Sequence, residues 1–402
     1  MGYIIYLRNN KANLFGLTPP NQLYILKLLS GLYIHIPYCR KACIYCDFHF
    51  STVHKNKKQL LLCIQNEIAL RESWLPKEPL ESIYFGGGTP SICTDQEIGG
   101  ILDLINKHFK ISSNCEITLE ANPDDLTREK TKALKQMGVN RLSIGIQSFF
   151  EEDLIWMNRA HNAMQAKACI ENAQDAGIIN ISADIIFATP LLSMKKLEEN
   201  LKTLIAFNIP HLSCYNLTVE EKTGLYHQVK TKKIEVVNDD QASVQFYFIR
   251  SYLQQHSYEH YEISNYAKPG YYSRHNTAYW QGNKYLGVGP SAHSFNGTSR
   301  SWNIANNEKY IKLLSQNELA LETELLTVEN RFNEILLTGL RTKWGIDIAH
   351  LQSQFQLQYS QIATTLKIML ERGELLLHDN KLSIAPEYWV MADGLVASLF
   401  II

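Results

Sequence analysis

From Gly31 to about residue 225, short apolar runs of strand length alternate with helical stretches. The run "LYIHIP" (32–37) leads to helical spacing over 56–73, and "LESIYFGGGTPS" runs into a glycine loop before a helix over 94–108. "CEITLEANP", "NRLSIGIQS", "INISADIIFATP" and "HLSCYNLT" follow as strands, with helices expected over 127–137, 162–176 and 194–207 between them. Neighbouring strands joined by helices must run parallel, because a parallel pair needs a crossover connection. Right-handed crossovers curve six such units into an α/β fold, a partial (βα)6 barrel of the TIM type.

That architecture predicts where chemistry should gather. In parallel α/β folds ligands bind at the carboxyl ends of the strands. Three cysteines, Cys39, Cys43 and Cys46, follow the first strand, and "GGGTP" (86–90) follows the second. Glu120 ends the third, Gln147 ends the fourth and Asp184 lies late in the fifth. Five polar or glycine features therefore share one rim.

The cysteine loop "YCRKACIYCDFHF" (38–50) is one ligand short of an ordinary four-cysteine site. One reading completes it with His49 as a Cys₃His zinc site, although such sites usually stabilise modules that lack a core. A second leaves the thiols unligated. A third is a [4Fe–4S] cluster whose fourth iron is left open for a substrate or cofactor, clusters ordinarily taking four cysteines. The glycine run one strand later favours the third, because residues without a Cβ allow close backbone approach.

The remaining composition narrows the class. The chain has 402 residues and a formal net charge of −1, so no global field draws in nucleic acid or an anionic membrane. The other five cysteines lie scattered in apolar segments, which suits a reducing cytoplasm better than a disulfide framework. Residues 1–30 are apolar in places, but Arg8, Lys11, Pro19, Pro20 and Lys27 interrupt them. No run there reaches transmembrane length, and the segment is expected to be a short appendage; peripheral membrane contact stays open. A connecting region (226–325) rich in Tyr and His follows the repeats, and a C-terminal module (326–402) has helices near 328–341, 347–355 and 361–372. A hairpin in "GELLLHDNKLSI" makes that module resemble a winged helix. Its helix before the wing has no basic excess, so DNA binding is not expected.

With C-x₃-C-x₂-C after one strand and GGGTP after the next, the chain resembles the radical S-adenosylmethionine (SAM) superfamily. "YIHIPYCRKACIYCDF", "LEANPDDLT", "RLSIGIQSF", "NRAH", "SADIIFATP" and "HNTAYW" together are similar to the branch holding anaerobic coproporphyrinogen III oxidase and the haem chaperones of the HemW type. The resemblance runs from about Gly31 to the C-terminus. It implies that Cys39, Cys43 and Cys46 bind three irons of a [4Fe–4S] cluster and that SAM chelates the fourth. A reduced cluster then cleaves SAM to methionine and a 5′-deoxyadenosyl radical, so a reductant is an implied partner. By motif position the SAM site would comprise Tyr33, Tyr45, Gly87, Gly88, Thr89, Glu120, Gln147, Arg159, Asp184, Thr218 and His293. Taken singly, Glu120 could cap a loop, Arg159 could pair with a surface acid and Asp184 could cap a helix.

Two features divide the branch. The oxidase pattern continues with a further cysteine two residues after the third, where this chain has Phe48. "HNTAYW" (275–280) resembles the H-N-x-x-Y-W signature of the chaperones, and implies His275 as a haem ligand with Tyr279 and Trp280 as flat apolar faces. The bland alternative has His275 hydrogen-bonded within a loop and the two aromatics in the core. The expected function is thus a carrier that binds haem and hands it to haem-accepting proteins. The alternative is an oxygen-independent coproporphyrinogen III oxidase.

Overall fold

A computed structural model describes residues 30–75 and 77–401. Apart from Ser30, the expected appendage over residues 1–30 lies outside the described residues. Six strands pair in sequence order and in parallel: β1 (Ser30–Ile36), β2 (Leu80–Gly87), β3 (Ile111–Ala121), β4 (Arg141–Gln147), β5 (Asn180–Phe187) and β6 (His211–Asn216). The crossovers are α1 (Lys57–Leu70), α2 (Asp95–His108), α3 (Arg128–Gln136), the pair α4 (Glu151–Trp156) and α5 (Ala163–Asp175), and α6 (Met194–Ala206). Helix starts follow local chemistry. Thr94, Thr127, Asn162 and Ser193 each accept a hydrogen bond from a first-turn amide, so side-chain oxygens satisfy groups that no preceding turn can reach. Helix α4 was not expected from the sequence; it is only six residues long, too short for a periodic signal.

The sheet does not end where the repeats end. Beyond β6 it gains the antiparallel pair β7 (Glu259–Glu262) and β8 (Asn265–Ala267). On the other side β9 (Tyr285–Val288) lies parallel to β1, and β10 (His293–Phe295), β11 (Ser299–Asn303) and β12 (Leu321–Leu325) continue antiparallel, giving twelve strands. The region expected to be a connector therefore flanks the barrel strands on both edges.

A buried ion pair fastens the β9 side. Glu67 of α1 and Arg71, one turn on at its C-cap, pair at 2.9 Å with almost no solvent exposure. The Glu67 carboxylate also accepts from the Gly289 amide at 2.8 Å, Asn303 Nδ2 at 2.8 Å and the Tyr310 hydroxyl at 2.6 Å. Arg71 donates to the Gly287 carbonyl at 3.0 Å and to the Ser294 hydroxyl at 3.1 Å. Burying two charges is costly unless their remaining hydrogen-bonding sites are met, and here the returning segments meet all but Arg71 Nε, which has no hydrogen-bond partner among the described residues. Removing either partner would strand the other.

The C-terminal unit follows the expected pattern. Helices Val328–Leu340, Ile348–Gln354 and Gln356–Glu371 pack with a three-stranded sheet of β13 (Ile346–Asp347, between the first two helices), β14 (Leu375–His378) and β15 (Lys381–Ile384), in the order β13-β15-β14. Asp379 and Asn380 both have positive φ, as a two-residue hairpin turn of the type I′ kind requires. The third helix begins at Gln356, earlier than the expected 361. Among the described residues no helix is long and apolar enough to cross a membrane.

Candidate functional site at the strand ends

The loops at the carboxyl ends of β1–β4 meet around the cysteines. Thr89, after β2, points its hydroxyl at Cys39 Sγ (3.4 Å). Arg159, in the loop after α4, directs Nη1 to Cys43 Sγ at 3.2 Å and to the Tyr45 hydroxyl at 3.4 Å. Its Nη2 donates to Asn122 Oδ1 at 2.7 Å and to the Gly145 carbonyl at 2.8 Å. Asn122 Nδ2 in turn reaches Thr89 Oγ1 at 3.4 Å, so one amide links the two groups that touch cysteine sulfurs. Asn122 was not singled out from the sequence. Its signal was its place two residues beyond Glu120, at the end of the same strand.

The donor set suits a thiolate-bound cluster. Burial pushes the Cys46 thiol up to about 12 and raises that of Cys39, so protons would stay on unless a metal replaced them. The Arg159 guanidinium beside Cys43 supplies positive charge to a site that gathers thiolates. His49, the fourth ligand of the zinc reading, has its Nε2 engaged 2.8 Å from Asn307 Oδ1. Three thiolates around a cubane each bond a different iron and need no common point.

The glycine run also has a packing role. A Cβ on Gly88 would lie 2.6 Å from the backbone nitrogen of Tyr38, and one on Gly87 (φ +105°) would strike the His35 ring at 2.6 Å. The Gly88 and Thr89 amides donate to the carbonyls of Ile36 and Tyr38 at 2.9 and 2.8 Å. These glycines let the β2 loop lie against the cysteine loop, chain to chain. The Gly87 amide donates to Glu120 Oε2 at 3.2 Å, and the Tyr84 hydroxyl to Glu120 Oε1 at 2.8 Å.

Behind this rim the inner face of the sheet is polar. Burial pushes Glu120 up to about 7, against the hydrogen bond from Tyr84 and with nearby Asp184 adding to the rise. Burial likewise pushes Asp184 up to about 6, against hydrogen bonding by Ser213 and the charge of Arg141. Gln147 Oε1, Arg159 Nε and Asp184 Oδ1 are buried with no hydrogen-bond partner among the described residues. Buried polar atoms are ordinarily satisfied, and such orphans toward the strand ends mark a place for a polar ligand. SAM carries an ammonium, a carboxylate and ribose hydroxyls, groups that match these acceptors and donors. Gln147 also holds a positive φ of 64°, a conformation a non-glycine residue rarely adopts, at the point where β4 enters its loop.

The other sequence candidates fall in three places. Tyr33 lies within β1, with its hydroxyl 3.1 Å from His35 Nδ1 and its ring 6.0 Å from that of Tyr84. His293, at the start of β10, is exposed and close enough to His35 to lower that ring's pKa, for which burial is the larger cause. Thr218 is exposed beyond β6, and no hydrogen bond ties its side chain to the rim. Tyr84 and His35 were missed. Alternation along each strand gives the signal, since Tyr84 shares a face with Gly86, and His35 with Tyr33.

His275 is elsewhere. It belongs to the helix Arg274–Trp280, which crosses the opposite, amino-terminal end of the barrel. Glu116 of β3 accepts from the backbone amides of Arg274 (3.2 Å) and His275 (3.1 Å), and Arg274 pairs with Glu81 at 2.8 Å. The His275 ring is 1% exposed. Its Nδ1 is 2.8 Å from the Ser82 hydroxyl and its Nε2 is 2.8 Å from the Tyr279 hydroxyl. Tyr84 stacks on it at 4.9 Å. Both nitrogens are engaged, and burial pushes the ring down to about 3, which keeps it neutral.

Comparison with known proteins agrees with this geometry. The radical SAM superfamily model matches residues 33–204, and the HemN C-terminal domain model matches residues 326–387. The heme chaperone HemW of Bacillus subtilis is 32% identical over 88% of this chain and 94% of its own. A mitochondrial radical S-adenosyl methionine domain-containing protein 1 from Bos taurus is 32% identical over 92% of this chain and 87% of its own. Among solved structures, coproporphyrinogen III oxidase of Escherichia coli superposes with a TM-score of 0.80 at 20% identity, covering 92% of this chain and 90% of that one, a likeness of fold. The cysteine loop, the strand-end rim and a relative matched over nearly its whole length lead to one assignment: this chain belongs to the HemW family of radical SAM proteins.

Proposed function

We propose that this chain is a haem chaperone of the HemW type, which holds a [4Fe–4S] cluster and SAM at the strand-end rim, binds haem and passes it to acceptor proteins. Cys39, Cys43 and Cys46 would hold three irons, with Thr89 and Arg159 bonded to two of the sulfurs. Glu120 and Asp184 would receive the ammonium and hydroxyl groups of SAM, while Tyr33, Tyr45, Gly87, Gly88, Gln147, Thr218 and His293 would line the remainder. When bound, the cluster and SAM supply one-electron chemistry at that rim, for which a reductant is needed. Residues 31–225 carry the cofactors in this reading, 226–325 extend the sheet and cross its floor, and 326–402 pack beneath. All eight cysteines are unpaired, which suits a reducing compartment such as the cytoplasm.

The observation that carries the reading is the paired grip of Thr89 and Arg159 on a three-cysteine loop in a chain that covers almost all of a HemW relative. For the choice of carrier over oxidase, the support is Phe48, 69% exposed where the oxidase pattern has another cysteine. Anaerobic reconstitution tests both. The chaperone reading expects a brown protein that binds haem stoichiometrically and releases it to an apo-haemoprotein. Turnover of coproporphyrinogen to protoporphyrinogen with SAM would overturn it in favour of the oxidase.

A further inference from the structure

Beneath the barrel, where the helix Arg274–Trp280 ends, a cavity of about 460 Å³ separates the sheet from the C-terminal unit, within the usual size range for small-ligand sites of about 300–1,000 Å³. It lies at the end opposite the cysteines: Tyr285, which lines it, starts β9 and pairs with Gly31 at the start of β1.

Its two walls repeat one device. On the sheet side Phe295 of β10 carries the Arg300 guanidinium 5.8 Å from its ring centre. On the C-terminal side Phe355 carries Arg331 at 5.7 Å. Tyr279 and Trp280 form the end wall, and they are the two aromatics of the "HNTAYW" stretch. Trp280 Nε1 and Arg300 Nε are buried without a hydrogen-bond partner. Arg300 is paired with Glu334 at 2.9 Å, whereas Arg331 has no acidic partner among the described residues. His350 stands at the mouth. It is exposed, its ring packs edge-on to Phe355 at 6.3 Å, and among the described residues no hydrogen bond occupies either ring nitrogen.

Resting on the haem-carrier reading above, we infer that this cavity is the haem site, with His350 as axial ligand, Arg300 and Arg331 facing the two propionates, and the Phe295, Phe355, Tyr279 and Trp280 rings against the macrocycle. Each element answers one part of the ligand. Aromatic walls take a flat apolar disc, guanidinium groups take carboxylates, and a free imidazole nitrogen takes iron. His275 does not line the cavity. Through its 2.8 Å bond to the Tyr279 hydroxyl it acts as a positioning residue, fixing the ring that does. The signature stretch would then matter for haem without its histidine touching iron.

The experiment is anaerobic titration of haem into the full reconstituted chain and into His350→Ala, Arg331→Ser and His275→Ala, read by the Soret band and by electron paramagnetic resonance of the ferric complex. Iron-free protoporphyrin serves as a second probe. In His350→Ala the histidine-ligated spectrum is expected to disappear and haem to bind about tenfold more weakly or worse, while iron-free protoporphyrin binds as before. In Arg331→Ser both porphyrins should bind about tenfold more weakly, as expected for loss of a charged hydrogen bond. In His275→Ala the ligation spectrum should persist with reduced affinity, provided a thermal melt shows a folded chain. If wild type binds haem and His350→Ala leaves spectrum and affinity unchanged, the site is wrong and the chaperone reading stands. Failure of wild type to bind haem at all overturns both.

Discussion

The two ends of the barrel are built on opposite terms. At the carboxyl end, buried polar atoms are left without partners and two carboxyl groups are held well above their ordinary range. At the amino end, the inward side of the plugging helix is closed off: Glu116 takes two of its backbone amides, Arg274 finds Glu81, and both nitrogens of His275 are engaged, while Thr277 Oγ1 and Trp280 Nε1 are left without hydrogen-bond partners among the described residues. Strands of six to eleven residues separate the ends, about 20 Å for a typical strand at roughly 3.3 Å per residue. A column of rings, Tyr33, Tyr84 and His275, fills the space between them. Unsatisfied groups destabilise a fold unless something binds them, and satisfied ones hold it together. The contrast separates a rim open to ligands from the inward side of a helix that supports structure, while Tyr279 and Trp280 of that helix turn to the cavity beneath.

The largest effect should come from the receiving end. Cys43→Ala removes a proposed iron ligand together with the Arg159 contact, and is expected to lower bound iron and sulfide to background after anaerobic reconstitution. Its melting temperature without the cluster should stay close to that of wild-type apoprotein, since Cys43 is only partly buried. Retention of a full cluster in that variant would mean that the loop is not the ligand set.

At the closed end the signs reverse. His275→Ala strips the partner from the Ser82 and Tyr279 hydroxyls and opens a hole beneath Tyr84, so stability should fall by about 2–4 kcal/mol. Cluster content should be unchanged. Denaturant titration and iron analysis on the same sample check both halves. A variant that unfolded no more easily but lost its iron would break the division between the ends.

How much of this was legible in the sequence follows from the range over which each feature is specified. The alternation of strand and helix and the hairpin turn at Asp379–Asn380 are local, and each stands where the sequence placed it. The rim was legible for the same reason, because strand ends follow from strand positions. What escaped is long-range. Nothing near Tyr285 announces that it pairs with Gly31, and Glu67 with Arg71 reads as an ordinary exposed helix pair until Gly289, Asn303 and Tyr310 arrive from more than two hundred residues away. His275 combines both kinds. Its bond to Tyr279 spans one helical turn and was open to inspection, whereas its bond to Ser82 joins elements 193 residues apart and decides that the ring points inward.

A smaller effect concerns pH. Glu120 sits at about 7 in the fold against an ordinary value of 4.5, so between those values the folded chain binds more protons than the unfolded one. Stability of the cofactor-free protein should therefore decline as pH rises through that window, and level off above it. Asp184, raised from 3.8 to about 6, contributes the lower part of the decline. Glu120→Gln should flatten the upper part and stabilise the apoprotein at pH 8, while weakening SAM binding. Urea midpoints at pH 5, 6, 7 and 8 measure this. A midpoint that rose with pH would show that the rim is satisfied after all.

The smallest effect is expected at Phe48, and it bears on whether three cysteines complete the loop. Phe48 is 69% exposed, and only its backbone N–H engages the site, donating to Cys46. Phe48→Cys keeps that amide and places a thiol in solvent at the position of the oxidase's extra cysteine. Exposed substitutions of this kind usually change stability by no more than about 0.5 kcal/mol. Iron per chain, the response of the cluster's resonance signal to SAM and haem binding should all match wild type. If the added thiol instead abolished the SAM response, it would have swung inward to claim the open iron, and the exposed turn at residues 47–48 would have to be counted as part of the receiving end.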